Sequence, residues 1–262
     1  MIIAFDIGNT NIDVGVFNND TKDNEIIANF KIRVEKSFSK RWFKNLIYEE
    51  LKIREIDPKI VDTLILASVR PSIVPKIKEI WKKYFSNSII EVNNSSDFGL
   101  VNKYIGNVGI DRILGCFAAY SLYNKNIIVI DLGTATTFNV IDEKGTFYGG
   151  VITPGVYTAS QNLLEKTELL YPFTLKVSKN VLADNTINAL SNGLFYSNYY
   201  AIKGISQRLA EELNFDDYIT IGTGGNLDIF KDTDLFTYTD KYLVLKGLKI
   251  FYNKNEKIKS LF

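Results

Sequence analysis

Two short phrases hold the residue types best suited to chemistry: Asp6-Ile7-Gly8-Asn9-Thr10-Asn11 and Asp131-Leu132-Gly133-Thr134-Ala135-Thr136-Thr137. In each, an aspartate closes an apolar run, one apolar residue separates it from glycine, and Asn or Thr follow. Carboxylate oxygens select hard cations such as magnesium. Glycine lets backbone come close to a ligand, and turn amides with Asn and Thr side chains donate to phosphate oxygens. The set suits a metal-bound polyphosphate, although no Gly-Lys-Ser/Thr follows and neither phrase is a Walker motif. One copy alone reads as a hairpin with a solvated turn; an aspartate at the matching strand end of a second copy favours the ligand.

Two further segments carry usable groups. Gly222-Thr223-Gly224-Gly225-Asn226 follows an apolar strand and would admit an adenine or ribose to bare backbone, a plain structural turn being the alternative. Gly109-Ile110-Asp111-Arg112 opens a helical stretch, setting a carboxylate and a guanidinium beside the positive end of the helix. Taken alone, it is an N-terminal helical aspartate followed by a surface arginine.

These residues need elements to hold them. Ile2-Ile3-Ala4-Phe5-Asp6-Ile7-Gly8 recurs as Ile127-Ile128-Val129-Ile130-Asp131-Leu132-Gly133, an offset of 125 positions. Such a run, buried on both faces, is a central strand with the aspartate at its end. The repeat implies a duplicated α/β fold whose two related halves, residues 1–117 and 118–262, face one cleft. The patterning predicts strands over 2–8, 12–18, 26–34, 61–68 and 89–92, with helices over 40–54, 73–84 and 110–123. The second half predicts strands over 127–133, 136–142, 147–151 and 218–222. Its helices are expected over 156–167, ended by Pro172, then 184–210 and 244–252.

Composition narrows the classes. The chain has 262 residues and is 46% hydrophobic, enough for two modest cores. Its 31 Lys plus Arg against 30 Asp plus Glu leave a net charge of +1, so no overall field favours nucleic acid or an anionic membrane. The absence of histidine excludes imidazole bases and Ser-His triads and leaves carboxylates or lysine as bases. Cys116 is the sole cysteine, which excludes an intrachain disulfide and fits a reducing cytoplasm. No run approaches 18 apolar residues, and the first strand begins too early for a secretory signal, so a soluble, unprocessed protein is expected.

The three turns resemble the phosphate 1, phosphate 2 and adenosine elements of the sugar kinase, actin and heat-shock chaperone superfamily. That resemblance implies a pair of RNase H-like domains, the actin-like ATPase fold, clasping ATP. Within the superfamily the chain resembles the type III pantothenate kinases over nearly its whole length. The phrases that carry the resemblance are the Asp6 to Thr10 turn, Ala67-Ser68-Val69-Arg70-Pro71, Gly109-Ile110-Asp111-Arg112, the Asp131 to Thr137 turn and Gly149-Gly150-Val151-Ile152-Thr153-Pro154-Gly155. Asn185-Thr186 with Gly193, Thr223-Gly224-Gly225-Asn226 and Leu243-Val244-Leu245-Lys246-Gly247-Leu248 follow in the family's order.

The resemblance implies transfer of the ATP γ-phosphoryl group to the primary hydroxyl of pantothenate, the first committed step towards coenzyme A. Asp111 matches the catalytic base. Asp6, Ile7, Gly8, Asn9, Thr10, Asn11, Ile12, Asp13 and Thr134 match ATP-contacting positions, with Asp6 holding the magnesium that accompanies ATP. Tyr104, Gly109, Ile110, Asp111, Arg112 and Thr186 match substrate-binding positions. Asp131 matches the ligand of a monovalent cation, potassium or ammonium, and a cytoplasmic homodimer is implied, with the stretch 187–205 a candidate interface.

Two departures stand out. Tyr104 lies seven residues before Asp111, where the family usually has its tyrosine about nine upstream followed by a proline, and Asn139 stands where many members have aspartate. Two alternatives remain open at this point: a sugar or sugar-amine kinase of the same superfamily, and a non-catalytic regulatory homologue.

Overall fold

The duplicated phrase becomes the centre of two sheets. In the computed structural model, residues 1–19, 24–34, 38–86, 88–168, 170–176 and 180–259 are described. The first stretch of chain forms β1 (Ile2–Ile7), β2 (Asn11–Phe17), β3 (Ala28–Arg33), α1 (Lys40–Ile53), β4 (Thr63–Ser68), α2 (Val74–Tyr84) and β5 (Ser88–Val92). Then come β6 (Val101–Asn102), α3 (Ile110–Tyr123), β7 (Ile127–Leu132), β8 (Ala135–Ile141), β9 (Thr146–Pro154) and α4 (Val156–Glu165). α5 (Thr186–Glu212), β10 (Ile219–Thr223), β11 (Tyr238–Thr239) and α6 (Leu243–Lys259) complete the order.

The first unit carries a sheet in the order β3-β2-β1-β4-β5. β1 pairs antiparallel with β2 through a short turn and parallel with β4 after the crossover through α1. One face of β1 and β2 (Ile3, Phe5, Ile7, Ile12, Val14, Val16) packs on Phe43, Ile47 and Leu51 of α1 and on Ile77, Ile80 and Trp81 of α2. Those helical residues recur at intervals of three or four, the apolar stripe a surface helix buries. Ser39 starts α1, its side chain accepting from the Trp42 amide at 3.1 Å. The other face carries α6, whose Leu245 reaches Gly15 of β2.

The second unit repeats the plan as β11-β10-β7-β8-β9, with the two-residue β6 added beside β9. Burial along β1 and β7 is the same position by position, and so is burial along β2 and β8. In each central strand the one half-buried member is the aspartate, Asp6 or Asp131. The core of this unit sets Ile128, Ile130, Leu132 and Phe138 against Phe195 and Ile202 of α5 and against Phe230. Where the first unit buries Ile12, the second buries Thr136, whose hydroxyl has no partner among the described residues.

The division of the chain differs from the expected 117/118 boundary. One unit comprises Met1–Leu100, Ile105–Ser121 and the segment from Leu243 onward; the other comprises Val101–Tyr104 and Leu122–Tyr242. The C-terminal helix therefore belongs with the N-terminal sheet, because Leu245, Leu248 and Phe251 are buried there and Phe251 meets the Phe98 and Phe117 rings. Other differences are local. The last helix runs to Lys259 rather than 252 and β9 to Pro154, while β6 and β11, two residues each, have no periodicity to read. α4 ends at Glu165, well before Pro172. No helix among the described residues is long and apolar enough to cross a membrane.

Candidate active site

In the first unit, β1 ends in the turn Gly8-Asn9-Thr10, closed by the Gly8 amide donating to the Asn11 carbonyl at 2.9 Å. Asn9 and Thr10 are exposed, whereas Ile7 and Ile12 are buried in the core and have only backbone to offer a ligand. Asp6 lies directly opposite Asp13, and Asp13 directly opposite Lys31 on β3. Opposed residues of antiparallel strands project to one face, so two carboxylates stand side by side, an arrangement that repels unless positive charge is near. Lys31 supplies it on the outer side, its Nζ 3.1 Å from Asp13 Oδ1.

The strand beside β1 extends this edge. The Val69 amide donates to the Ile7 carbonyl at 3.0 Å, so the chain leaving β4 runs alongside the turn. A side chain on Gly109 would come within 3.6 Å of Val69 Cγ1, which puts the entry to α3 at the same edge of the sheet. That same side chain would overlap Asp111 Oδ1. Gly109 thus leaves space for the carboxylate to fold back over the helix start, where Oδ1 accepts from the Arg112 amide at 2.8 Å.

Burial pushes the Asp111 carboxyl above its ordinary value; the Arg112 amide and then the Arg112 guanidinium pull it back only in part. Arg112 is itself 8% exposed and its guanidinium favours ionisation of Asp111; Cys116, one turn along, carries a buried thiol. Burial drives that thiol upward, which keeps Cys116 neutral and packing-only. Ile110 is buried. We expect Gly109→Ala to reduce kcat/KM about 10²-fold by displacing the carboxylate while changing urea-unfolding stability by no more than about 1 kcal/mol. Activity within threefold of the parent would show that the space at Gly109 is unimportant.

In the second unit three segments converge on Asp131. The Gly133 amide donates to the Ala135 carbonyl at 3.0 Å, a turn one residue tighter than its counterpart. Asn226 joins the adenosine-type turn to it, its amide donating to the Leu132 carbonyl at 2.8 Å and its side-chain nitrogen to the Gly133 carbonyl at 3.0 Å. The Gly155 amide and the Thr158 hydroxyl both donate to the Thr134 carbonyl, at 3.0 and 2.6 Å, tying the start of α4 to the same turn. Gly224 sits at φ +94°, and a Cβ there would overlap Asp131 Oδ1 and fall 2.8 Å from the Leu132 amide nitrogen. Thr134 is exposed at the tip.

Two expected substrate residues lie elsewhere in this unit. Tyr104 follows β6 and lies against Gly149 of β9, its ring 6.4 Å from that of Phe147, so a contact across strands fixes it. Thr186 is the exposed first residue of α5, with Asn185 as cap accepting from the Asn188 amide at 3.0 Å. Asn139 is buried and donates to the Thr137 hydroxyl at 2.9 Å.

Among the described residues no three His, Cys, Asp or Glu converge. Magnesium needs only one or two carboxylates when phosphates complete its shell, which Asp6 could provide. Asp131 Oδ1 instead lies close to the backbone of Gly133 and Gly224. A groove of about 480 Å³ lined by Tyr48, Glu49, Lys52, Glu55, Ile56, Asp57 and Pro58 holds none of these groups. It precedes β4, whose first residue pairs with Ile2, at the other end of β1 from Asp6.

One residue beside the site had no assigned role in the sequence reading: Arg70, whose Nη1 lies 3.5 Å from the Asn9 carbonyl. The signal was its position two residues past a strand that must end level with β1.

A profile of the type III pantothenate kinase family matches residues 2–208. A type III pantothenate kinase of Syntrophotalea carbinolica is 31% identical over 259 residues, 98% of this chain and 100% of that protein. Among solved structures, a Campylobacter jejuni protein named for the Baf family of transcriptional activators superposes with a TM-score of 0.64 at 21% identity, covering 97% of this chain and 99% of that one. A Sinorhizobium meliloti protein named for 2-dehydro-3-deoxygalactonokinase gives 0.54 at 11% identity, with 97% and 96% covered. These two likenesses speak to the fold, two sheets of one topology as in the actin-like ATPases and sugar kinases. With two matching central strands each carrying an aspartate one residue before its end, a helix start shaped around Asp111, and a family match spanning most of its length, the chain belongs to the type III pantothenate kinases.

Proposed function

We propose that the protein phosphorylates the primary hydroxyl of pantothenate with ATP, yielding 4'-phosphopantothenate at the entry to coenzyme A synthesis. The observation that carries this reading is the Asp111 carboxylate, kept at a helix start by a glycine that makes room for it and held there despite the cost of burial. A carboxylate perturbed by burial beside a specific charged partner is a candidate functional group. Asp111 would accept the hydroxyl proton and, since a loose phosphoryl-transfer transition state asks little of a base early on, would aim the oxygen in line.

The exposed Asn9 and Thr10 and the turn amides would bind phosphate oxygens, with Thr134 doing the same from its own turn. Magnesium at Asp6 and potassium or ammonium at Asp131 would supply the positive charge that offsets the polyphosphate. Tyr104 and Thr186 would meet the acceptor. Exposed Tyr157 and Leu163 on α4 and Tyr200 on α5, two helices packed together, are the surface we assign to a homodimer contact. A cytoplasmic location accords with the chemistry.

A coupled assay tests the reading. Product formation should require pantothenate, ATP, magnesium and potassium together, and replacing potassium by sodium at constant ionic strength should remove most activity. Turnover of hexoses but not pantothenate would transfer the assignment to a sugar kinase; no turnover of either would favour a regulatory homologue.

A further inference from the structure

We infer that Arg70 is a polyphosphate-binding residue, the fixed positive charge of the first phosphate turn. The inference rests on the proposed use of ATP and names a contact within that same site. The turn has no lysine, and its two carboxylates, Asp6 and Asp13, stand opposite each other, with Lys31 already engaged by Asp13. Arg70 enters from the neighbouring strand. Ser68 ends β4 opposite Ile7, the Ser68 hydroxyl accepts from the Arg70 amide at 2.9 Å, and Val69 is bonded to the Ile7 carbonyl. Backbone pairing therefore carries Arg70 to the level of the turn, and Pro71 behind it starts a short 3₁₀ turn that stops the chain from running on.

The guanidinium reaches across to the Asn9 carbonyl, a long contact that uses one of its five N–H donors. Among the described residues no carboxylate lies within ion-pair distance of Arg70, in contrast to Arg54, which is paired with Glu50 at 2.6 Å. A half-exposed guanidinium with donors to spare, leaning on a turn whose Asn9 and Thr10 are exposed, is complementary to an anion with several oxygens in one plane. Asn9 holds the cation beside the turn, so the same phosphate group would take hydrogen bonds from both.

The test is calorimetric binding of MgATP and of adenosine, without pantothenate, to the full chain and to Arg70→Ala and Arg70→Lys. Arg70→Ala should weaken MgATP about 10- to 100-fold and leave adenosine within twofold, since adenosine carries no phosphate; Arg70→Lys, which keeps the charge, should recover at least half of the loss on a logarithmic scale. MgATP affinity of Arg70→Ala within threefold of the parent, equal weakening of adenosine, or an Arg70→Lys protein as weak as Arg70→Ala would overturn the inference. A parent chain that binds no MgATP would overturn the kinase reading along with it. A parent that binds MgATP yet does not phosphorylate pantothenate would overturn the acceptor alone and leave the Arg70 measurement decisive.

Discussion

Asp111→Asn is expected to lower turnover about 10²- to 10⁴-fold while leaving the protein folded and no less stable at neutral pH. The sign of the stability effect follows from the burial of the carboxylate. Its folded pKa is raised above the unfolded value, so the ionised form is less well tolerated in the folded chain, and above the raised pKa it subtracts stability that returns as pH falls through it. Asparagine removes that charge and retains an oxygen for the Arg112 amide. The parent should also lose kcat/KM as pH falls through a limb lying above the usual aspartate range, because only the ionised carboxylate accepts a proton. Residual activity of the variant should lack this limb. Turnover within threefold of the parent, or a limb that persists in the variant, would remove Asp111 from the reaction.

Gly224→Ala should damage both stability and activity. Its φ of +94° is one that L residues rarely adopt, and the added methyl would collide with Asp131 Oδ1 and press on the Leu132 amide, which is backbone and cannot swing away. Strain and overpacking each cost about 1–3 kcal/mol, so a loss of about 2–6 kcal/mol in urea unfolding is expected. Because the collision falls on Asp131, the concentration of potassium giving half-maximal activity should rise as well, at a temperature where the variant is still folded. An unaltered potassium response in a destabilised variant would separate Asp131 from cation binding.

Much of this arrangement was legible in the residue order because it rests on local rules. Apolar runs ending in aspartate announced both central strands, and the offset of 125 positions between them announced the repeated topology. The burial patterns agree residue by residue because each run is buried on both faces and its aspartate alone reaches the edge. Contacts made between distant segments left no such mark. Nothing near Tyr104 reveals that Gly149 receives its ring, and nothing near Arg70 reveals the Asn9 carbonyl, since each depends on which strands lie side by side. The affiliation of α6 was missed for the same reason: its apolar positions show that it packs, not what it packs against.

The placement of α6 has a consequence for how the chain is made. Lys249, fully buried, donates to the Asn18 carbonyl at 3.0 Å, and Lys254 to the Phe98 carbonyl at 3.0 Å. During vectorial synthesis the ribosome releases the N-terminal sheet long before these partners exist, and one face of it must wait, uncovered, through the translation of residues 122–242. The portion made first is thus among the last to mature, and a nascent chain stalled before Leu243 would present a sticky half-built layer to chaperones rather than a finished domain.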